Sequence, residues 1–251
     1  MVREELHQRS RYHYVRYGKI EILVGAVRRP DLVVRYLRGK MPSEFDLEEV
    51  SRFVKSESPV IVEAGAFDGR DTARFARKWP MGHVFAFEPL PVLADQVRQN
   101  TRELTNVTVI QQALGVDDST SVDLFTFDET EEVHGSSSLL NPADHLSVAP
   151  EIAFGAKVTV PAITLNDWHS AAGSPKVDLL WLDLQGAELR VLDRGHEVLL
   201  NTQTIHIEVS RRPLYEGGAT HREVRSYLES FGFTQKSVRV PVRSGNAIFA
   251  R

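Results

Sequence analysis

Cysteine is missing from all 251 residues, which excludes disulfides, thiolate metal sites and cysteine nucleophiles together. No apolar run approaches the roughly 20 residues that span a bilayer. The opening stretch, MVREELHQRSRYHYVRYGK, also lacks the apolar core of a secretory leader, so the expectation is a cytoplasmic protein with no membrane span. Positive charge is scarce overall: 30 Lys and Arg stand against 34 Asp and Glu, a formal net charge of −4. A nucleic-acid partner is not expected. That balance hides an asymmetry, because residues 1–40 carry ten basic side chains against four acidic ones. With 42% hydrophobic and 25% charged residues, the chain is ordinary for a globular protein and long enough for one α/β domain with an appendage.

What the sequence does contain is concentrated in Pro59 to Thr72, PVIVEAGAFDGRDT. Val60, Ile61 and Val62 suit a strand buried on both faces, and Glu63 falls where that strand should end. Gly65 and Gly69 bracket a turn, after which a helix begins and points its free N–H groups back at the loop. The next strand, His83 to Phe87, delivers Glu88 and Pro89, with Glu88 19 residues after Gly69. An acid about 20 residues beyond a glycine turn is placed to hold two ribose hydroxyls. The glycines, however, are spaced GxxxG and not GxGxxG. A pyrophosphate needs close backbone approach at several glycines, whereas S-adenosylmethionine carries no phosphate and tolerates a carboxylate at Glu63. S-adenosylmethionine is therefore favoured over a nicotinamide dinucleotide.

Further blocks sharpen this reading: FAFEP at 85–89, GSSSLL at 135–140, VDLLWLDLQGAELRVLDRG at 177–195 and IHIEVSRRPLYEGGAT at 205–220. With EAGAFDGRDT at 63–72, they make residues 58–251 resemble the FkbM family of class I S-adenosylmethionine-dependent methyltransferases. The resemblance implies an α/β, Rossmann-like fold: a mostly parallel seven-stranded sheet with helices on both faces and an antiparallel last strand. It implies O-methylation of a hydroxylated small molecule, a sugar or a secondary metabolite. Spacing and family position together assign Glu63, Gly65, Ala66, Phe67, Asp68 and Gly69 to the amino-acid end of the cofactor, with Thr72 and Asp183 beside them. Glu88 and Pro89 go to the ribose, and Gln112 and Ala113 to the adenine. Ser136, Ser137, Ser138 and Gln185 fall on the acceptor side. Many members of the family carry Asn at the position of Phe67 and Glu at that of Gln185, which leaves Phe67 only its backbone N–H and removes Gln185 as a base.

The rest of the chain fits the alternation of a parallel sheet. Residues 1–58 form an N-terminal helical extension, in which Ile20, Leu23, Val24 and Val27 repeat with helical spacing. Ser43 and Asp46 open a later segment carrying Leu47, Val50, Phe53 and Val54. Its basic face is either a solvated packing surface, an oligomer contact or a docking surface for an anionic acceptor. The methyltransferase domain is 59–251. Asp71 and Thr72 cap a helix over Ala73 to Trp79, Leu90 to Leu104 carry a second, and Val107 to Ile110 form the third strand. Residues 116–168 interrupt the pattern as an inserted β-hairpin, Ser121 to Phe127 and Lys157 to Ile163, with a polar loop between. Val177 to Leu182 then delivers Asp183, Ala187 to Leu200 is helical, and Thr204 to Val209 is the fifth strand. Thr220 and Glu223 box the start of a last helix, and a closing hairpin follows Gly232.

Methyl transfer to a hydroxyl needs alignment first and a base second. Asp183, Glu208 and His206 are the candidates, Asp183 foremost, either as base or as a group that orders the site. Asp183 with Glu208 is also a pair of hard ligands for a divalent ion, but two carboxylates are too few to assign a metal. A cofactor-binding member of the family without turnover is the second reading, and a nicotinamide-dependent oxidoreductase the third.

Overall fold

The computed structural model describes residues 42–127, 137–140, 154–240 and 244–251. The basic segment 1–41, the loop residues Glu131, Glu132 and His134, and Ser136 lie outside them. The helices are α1 (Pro42–Val50), α2 (Arg70–Lys78), α3 (Pro91–Thr101), α4 (Leu165–Ala171), α5 (Glu188–Leu192), α6 (His196–Leu200) and α7 (His221–Ser230). The strands are β1 (Val60–Ala64), β2 (His83–Phe87), β3 (Val107–Ile110), β4 (Ala113–Leu114), β5 (Ser121–Phe127), β6 (Phe154–Ile163), β7 (Val177–Leu182), β8 (Thr202–Ser210), β9 (Thr234–Arg239) and β10 (Ser244–Ala250). No described helix is long and apolar enough to cross a membrane.

Seven strands form one sheet in the order β3-β2-β1-β7-β8-β10-β9. The five from β3 to β8 are parallel, and β10 runs antiparallel to both β8 and β9. This is the Rossmann-like sheet, with its reversed last strand, that the sequence resemblance implies. Successive side chains of a strand face opposite ways, and the apolar residues divide accordingly. Val62, Leu180, Leu182, Ile205 and Ile207 pack with α4, α5, α6 and α7. Ile61, Val84, Leu179, Trp181 and Ile248 pack with α2 and with Leu47, Val50 and Val54 of the N-terminal segment. A core this continuous on both faces is why these strands are near-unbroken apolar runs.

Chain order reverses between β1 and β7: one leads outward to β2 and β3, the other to β8. Open sheets bind ligands in the crevice beyond the strand ends at such a switch point. The insertion makes its own sheet, β4-β6-β5, in which β5 and β6 are the expected antiparallel hairpin and β4 adds a parallel edge.

Four local expectations need correction. Glu63 lies inside β1, with Ala64 last. Ser43 is within α1 and not ahead of it. Asp71 and Thr72 do not cap α2: the helix starts at Arg70 on Gly69, because the Thr72 hydroxyl goes to Glu63 and Asp71 pairs with Arg74. The helix expected over 187–200 is two short ones. It breaks because the Arg194 carbonyl accepts from the Asn166 amide at 3.0 Å. Gly195 also packs so closely on Leu165 that a Cβ would lie 2.6 Å from Leu165 Cδ2. The capping box of α7 is present, Thr220 and Glu223 each accepting from the other's backbone.

Candidate active site

Backbone hydrogen bonds tie the glycine loop to the strands on either side. The amides of Gly65 and Ala66 donate to the Phe87 carbonyl at 3.2 and 3.0 Å, and the Asp183 amide donates to the Ala64 carbonyl at 3.1 Å. Gly65 has φ 88°, and a Cβ there would stand 2.2 Å from the Asp183 carbonyl oxygen. Only glycine lets the loop meet the end of β7 this closely. Phe67 follows with φ 53°, a left-handed conformation that costs a bulky residue about 1–2 kcal/mol. Gly69 serves the scaffold, since a Cβ would lie 2.8 Å from the Val97 backbone of α3.

Glu88 leaves β2 and turns back over this loop. Its Oε2 accepts from the Phe67 amide at 2.9 Å and its Oε1 from the Leu90 amide at 3.1 Å. Burial raises its carboxyl to about 7 against the pull of those two bonds. Glu63 accepts from Thr72 Oγ1 at 2.5 Å. Burial pushes it well above the usual range, Thr72 opposes, and the neighbouring charges of Asp71, Asp68 and Glu88 add to the rise.

Together these residues line a cleft of about 1000 Å³, open solvent included, at the ends of β1, β2 and β7. Of the residues singled out from sequence, Glu63, Gly65, Ala66, Phe67, Asp68, Glu88, Pro89, Gln112, Ala113, Ser137, Asp183 and Gln185 all border it. Phe87, Leu93, Leu114, Leu124 and Leu139 supply an apolar wall. Among the described lining residues are five carboxylates, Glu63, Asp68, Asp71, Glu88 and Asp183, and no Lys, Arg or His. Arg70 reaches Asp68 from outside at 2.9 Å, and Arg74 pairs with Asp71.

Thr72, Gly69, Ser138, His206 and Glu208 are not on the cleft wall. Ser138 is buried, its hydroxyl donating to the Gln185 carbonyl at 2.9 Å and accepting from the Leu140 amide at 3.1 Å. His206 is 2% exposed and stacks on Trp181 with ring centroids 3.4 Å apart. Its Nε2 lies 3.3 Å from Asp46 Oδ2 without the alignment of a hydrogen bond. Glu208 borders a neighbouring recess with Tyr215 and Ser210 and reaches the cleft through Gln185, whose Nε2 donates to its Oε2 at 3.2 Å.

Sequence reasoning passed over Glu188 and Tyr215. Glu188 Oε1 accepts from the Leu184 and Gly186 amides at 2.8 and 3.2 Å, shaping the loop that carries Asp183. The signal was an acid two residues after Gly186, at the start of a helix. Tyr215 sits in the LYEGG block with no periodicity to mark it, and only the fold brings it under Gln185.

Residues 63–234 match the family model of the methyltransferase FkbM domain. A 2-O-methyltransferase, NoeI of Sinorhizobium fredii, is 31% identical over 86% of this chain and 90% of its own length. Methyltransferase sdnD of Sordaria araneosa is 28% identical over 70% of this chain and 74% of its own. Among solved structures, a SAM dependent methyltransferase from Aquifex aeolicus aligns with TM-score 0.44 and 13% identity over 83% of this chain and 88% of that one.

Proposed function

Because the chain belongs to the family defined by the FkbM methyltransferase domain, we propose that it methylates a hydroxyl of a sugar or secondary metabolite, using S-adenosylmethionine, with Asp183 beside the acceptor oxygen. The observation that carries the donor side is the make-up of the cleft: among the described lining residues there is no basic side chain to receive a phosphate, and there are five carboxyl groups, of which burial inclines Glu63 and Glu88 to hold a proton until a ligand enters. A ligand with a sulfonium and an ammonium group suits a site lined by acids, and a pyrophosphate would meet no cation there to offset its charge. This weighs against the nicotinamide reading. The 2-O-methyltransferase relative supports oxygen as the acceptor atom.

When bound, S-adenosylmethionine supplies a methyl group already activated by its sulfonium. In this reading the chain has three tasks. Glu63 and the loop from Gly65 to Asp68 hold the amino-acid end. Glu88 accepts from the ribose hydroxyls, and the adenine lies by Gln112 and Ala113 against the apolar wall. Asp183, at the end of β7 where the glycine loop abuts it, takes the acceptor proton as the new bond forms. Glu208 stands behind it. We set His206 aside as a base because Trp181 and Asp46 enclose its ring. We take 59–251, with 116–168 inserted, as the catalytic domain, and the chain before it as a helical extension.

The test is Asp183→Asn. S-adenosylhomocysteine should still bind within threefold of wild type, while turnover on a panel of methyl glycosides and polyols should fall about 10²- to 10⁴-fold. Turnover near that of wild type would remove Asp183 from the reaction.

A further inference from the structure

Gln185 walls the cleft next to Asp183, and the chemistry above gives it no part. It is 3% exposed and held at φ 55°, with Gly186 after it at φ 98°. A buried glutamine in a left-handed conformation persists only where its surroundings over-determine it. Here they do. Nε2 donates to Asp183 Oδ1 and, at 3.2 Å, to Glu208 Oε2. Oε1 accepts from the Tyr215 hydroxyl at 3.1 Å, and the main-chain carbonyl accepts from Ser138 Oγ at 2.9 Å.

The chemistry of an amide fixes its orientation. Turned over, it would press its carbonyl against two carboxylate oxygens and lose both donors. Tyr215 secures the other end. It is buried beside Leu140 and Ala187, and the lack of a side chain at Gly186 admits its ring, since a Cβ there would lie 2.8 Å from Tyr215 Cδ2. Ser138 and Leu140 belong to the strap 137–140, tied to β5 by a bridge between Phe125 and Ser138. Three separate parts of the chain, β8 at Glu208, the loop at Tyr215 and the strap 137–140, therefore converge on this one residue.

Resting on the reading of Asp183 as the acceptor-side acid, we propose that Gln185 is a positioning residue: its amide holds Asp183 and Glu208 side by side and fixes Asp183 Oδ2 as the oxygen that meets the acceptor hydroxyl. Two adjacent carboxylates repel, and an NH₂ group supplies one hydrogen to each. Oδ1 is engaged by that donor, so the acceptor proton goes to Oδ2. The O–H bond breaks as the C–O bond forms and the C–S bond breaks. Sulfur leaves as a neutral thioether, and Asp183 then returns its proton to solvent.

The experiment compares wild type with Gln185→Ala, Gln185→Glu and Tyr215→Phe. For Gln185→Ala, kcat on whichever methyl glycoside or polyol wild type methylates best should fall about 100-fold, with KM and S-adenosylhomocysteine affinity within threefold. Tyr215→Phe, a smaller change to the fold, should lower kcat about fivefold with the same split. Gln185→Glu gathers three carboxylates and should bind Mn²⁺, followed by electron paramagnetic resonance without acceptor, at least about tenfold more tightly than wild type. Loss of cofactor affinity in step with kcat in both Gln185→Ala and Tyr215→Phe, or kcat within twofold of wild type in both, overturns the proposal. So does unchanged Mn²⁺ affinity. If wild type methylates nothing on the panel, it is the acceptor reading that falls, and the Mn²⁺ measurement still decides whether residue 185 bridges the two acids.

Discussion

The backbone amide of Phe67 donates to Oε2 of Glu88 at 2.9 Å, so the turn of the first loop and the acid at the tip of the second strand form one unit. Glu88→Ala should therefore remove a ribose partner and untie the loop together, weakening S-adenosylhomocysteine binding about 100-fold. Glu88→Gln keeps the shape, leaves one oxygen to accept, and should cost about tenfold. Titration calorimetry reads both, and an unaltered affinity in Glu88→Ala would sink the ribose assignment.

The same carboxyl makes binding depend on pH. Burial holds Glu88 up to about 7, and burial does the same to Glu188. In the ligand-free fold each keeps a proton that the unfolded chain releases from about pH 4.5 upward. Their contribution to stability is thus complete below that pH and is lost as pH rises through about 7. On the ribose reading proposed for Glu88, the hydroxyls favour the ionised form, so binding expels its proton. Affinity for S-adenosylhomocysteine should rise about fivefold from pH 6 to 7, about twofold more above that, and level off by about pH 8. Calorimetry at pH 6.5 in two buffers of different ionisation heat should detect the released proton. Its absence would mean that no donor reaches Glu88.

Phe67 is a bulky residue at φ 53°, a conformation that asparagine accepts more readily. Phe67→Asn should stabilise the ligand-free protein by about 1 kcal/mol. Chemical denaturation measures this, and a midpoint unchanged or lower would show that the ring's contacts outweigh the backbone strain.

Asp46 fastens α1 to the far edge of the sheet. It pairs with Arg239 and accepts from Asn246 at 2.6 Å. Burial alone would raise its carboxyl, but His206, Arg239 and Asn246 outweigh it and hold it below the usual range. Its stabilisation is present above the ordinary carboxylate pKa and is lost as pH falls through the lowered one. Asp46→Ala should cost about 2–4 kcal/mol at pH 7 by urea denaturation, and the deficit should shrink toward pH 3. A constant deficit would mean lost packing and not lost charge.

Much of the site was legible because its chemistry is local. Gly65, Phe67 and Glu88 are set by strand ends and by a turn whose spacing is written in the chain, and all three border the cleft. Legibility failed where partners are far apart in sequence. Alternation along β8 would put His206 and Glu208 on one face, yet the fold packs His206 on Trp181 and leaves Glu208 at a recess beside the cleft. Ser138 carries a family expectation of acceptor contact, but its hydroxyl is engaged with Gln185, 47 residues away.

The sequence by itself determined the parallel centre of the sheet, since the apolar runs of β1, β2 and β7 suit parallel strands buried on both faces. It also determined the ends of strands where chemistry collects. The tertiary structure alone decided which polar groups share a hydrogen bond. The joining of Gln185 to Asp183, Glu208, Tyr215 and Ser138 depends on strand order and on an insertion folding back. Distances of a few ångströms between remote residues are set by packing, which no local pattern records.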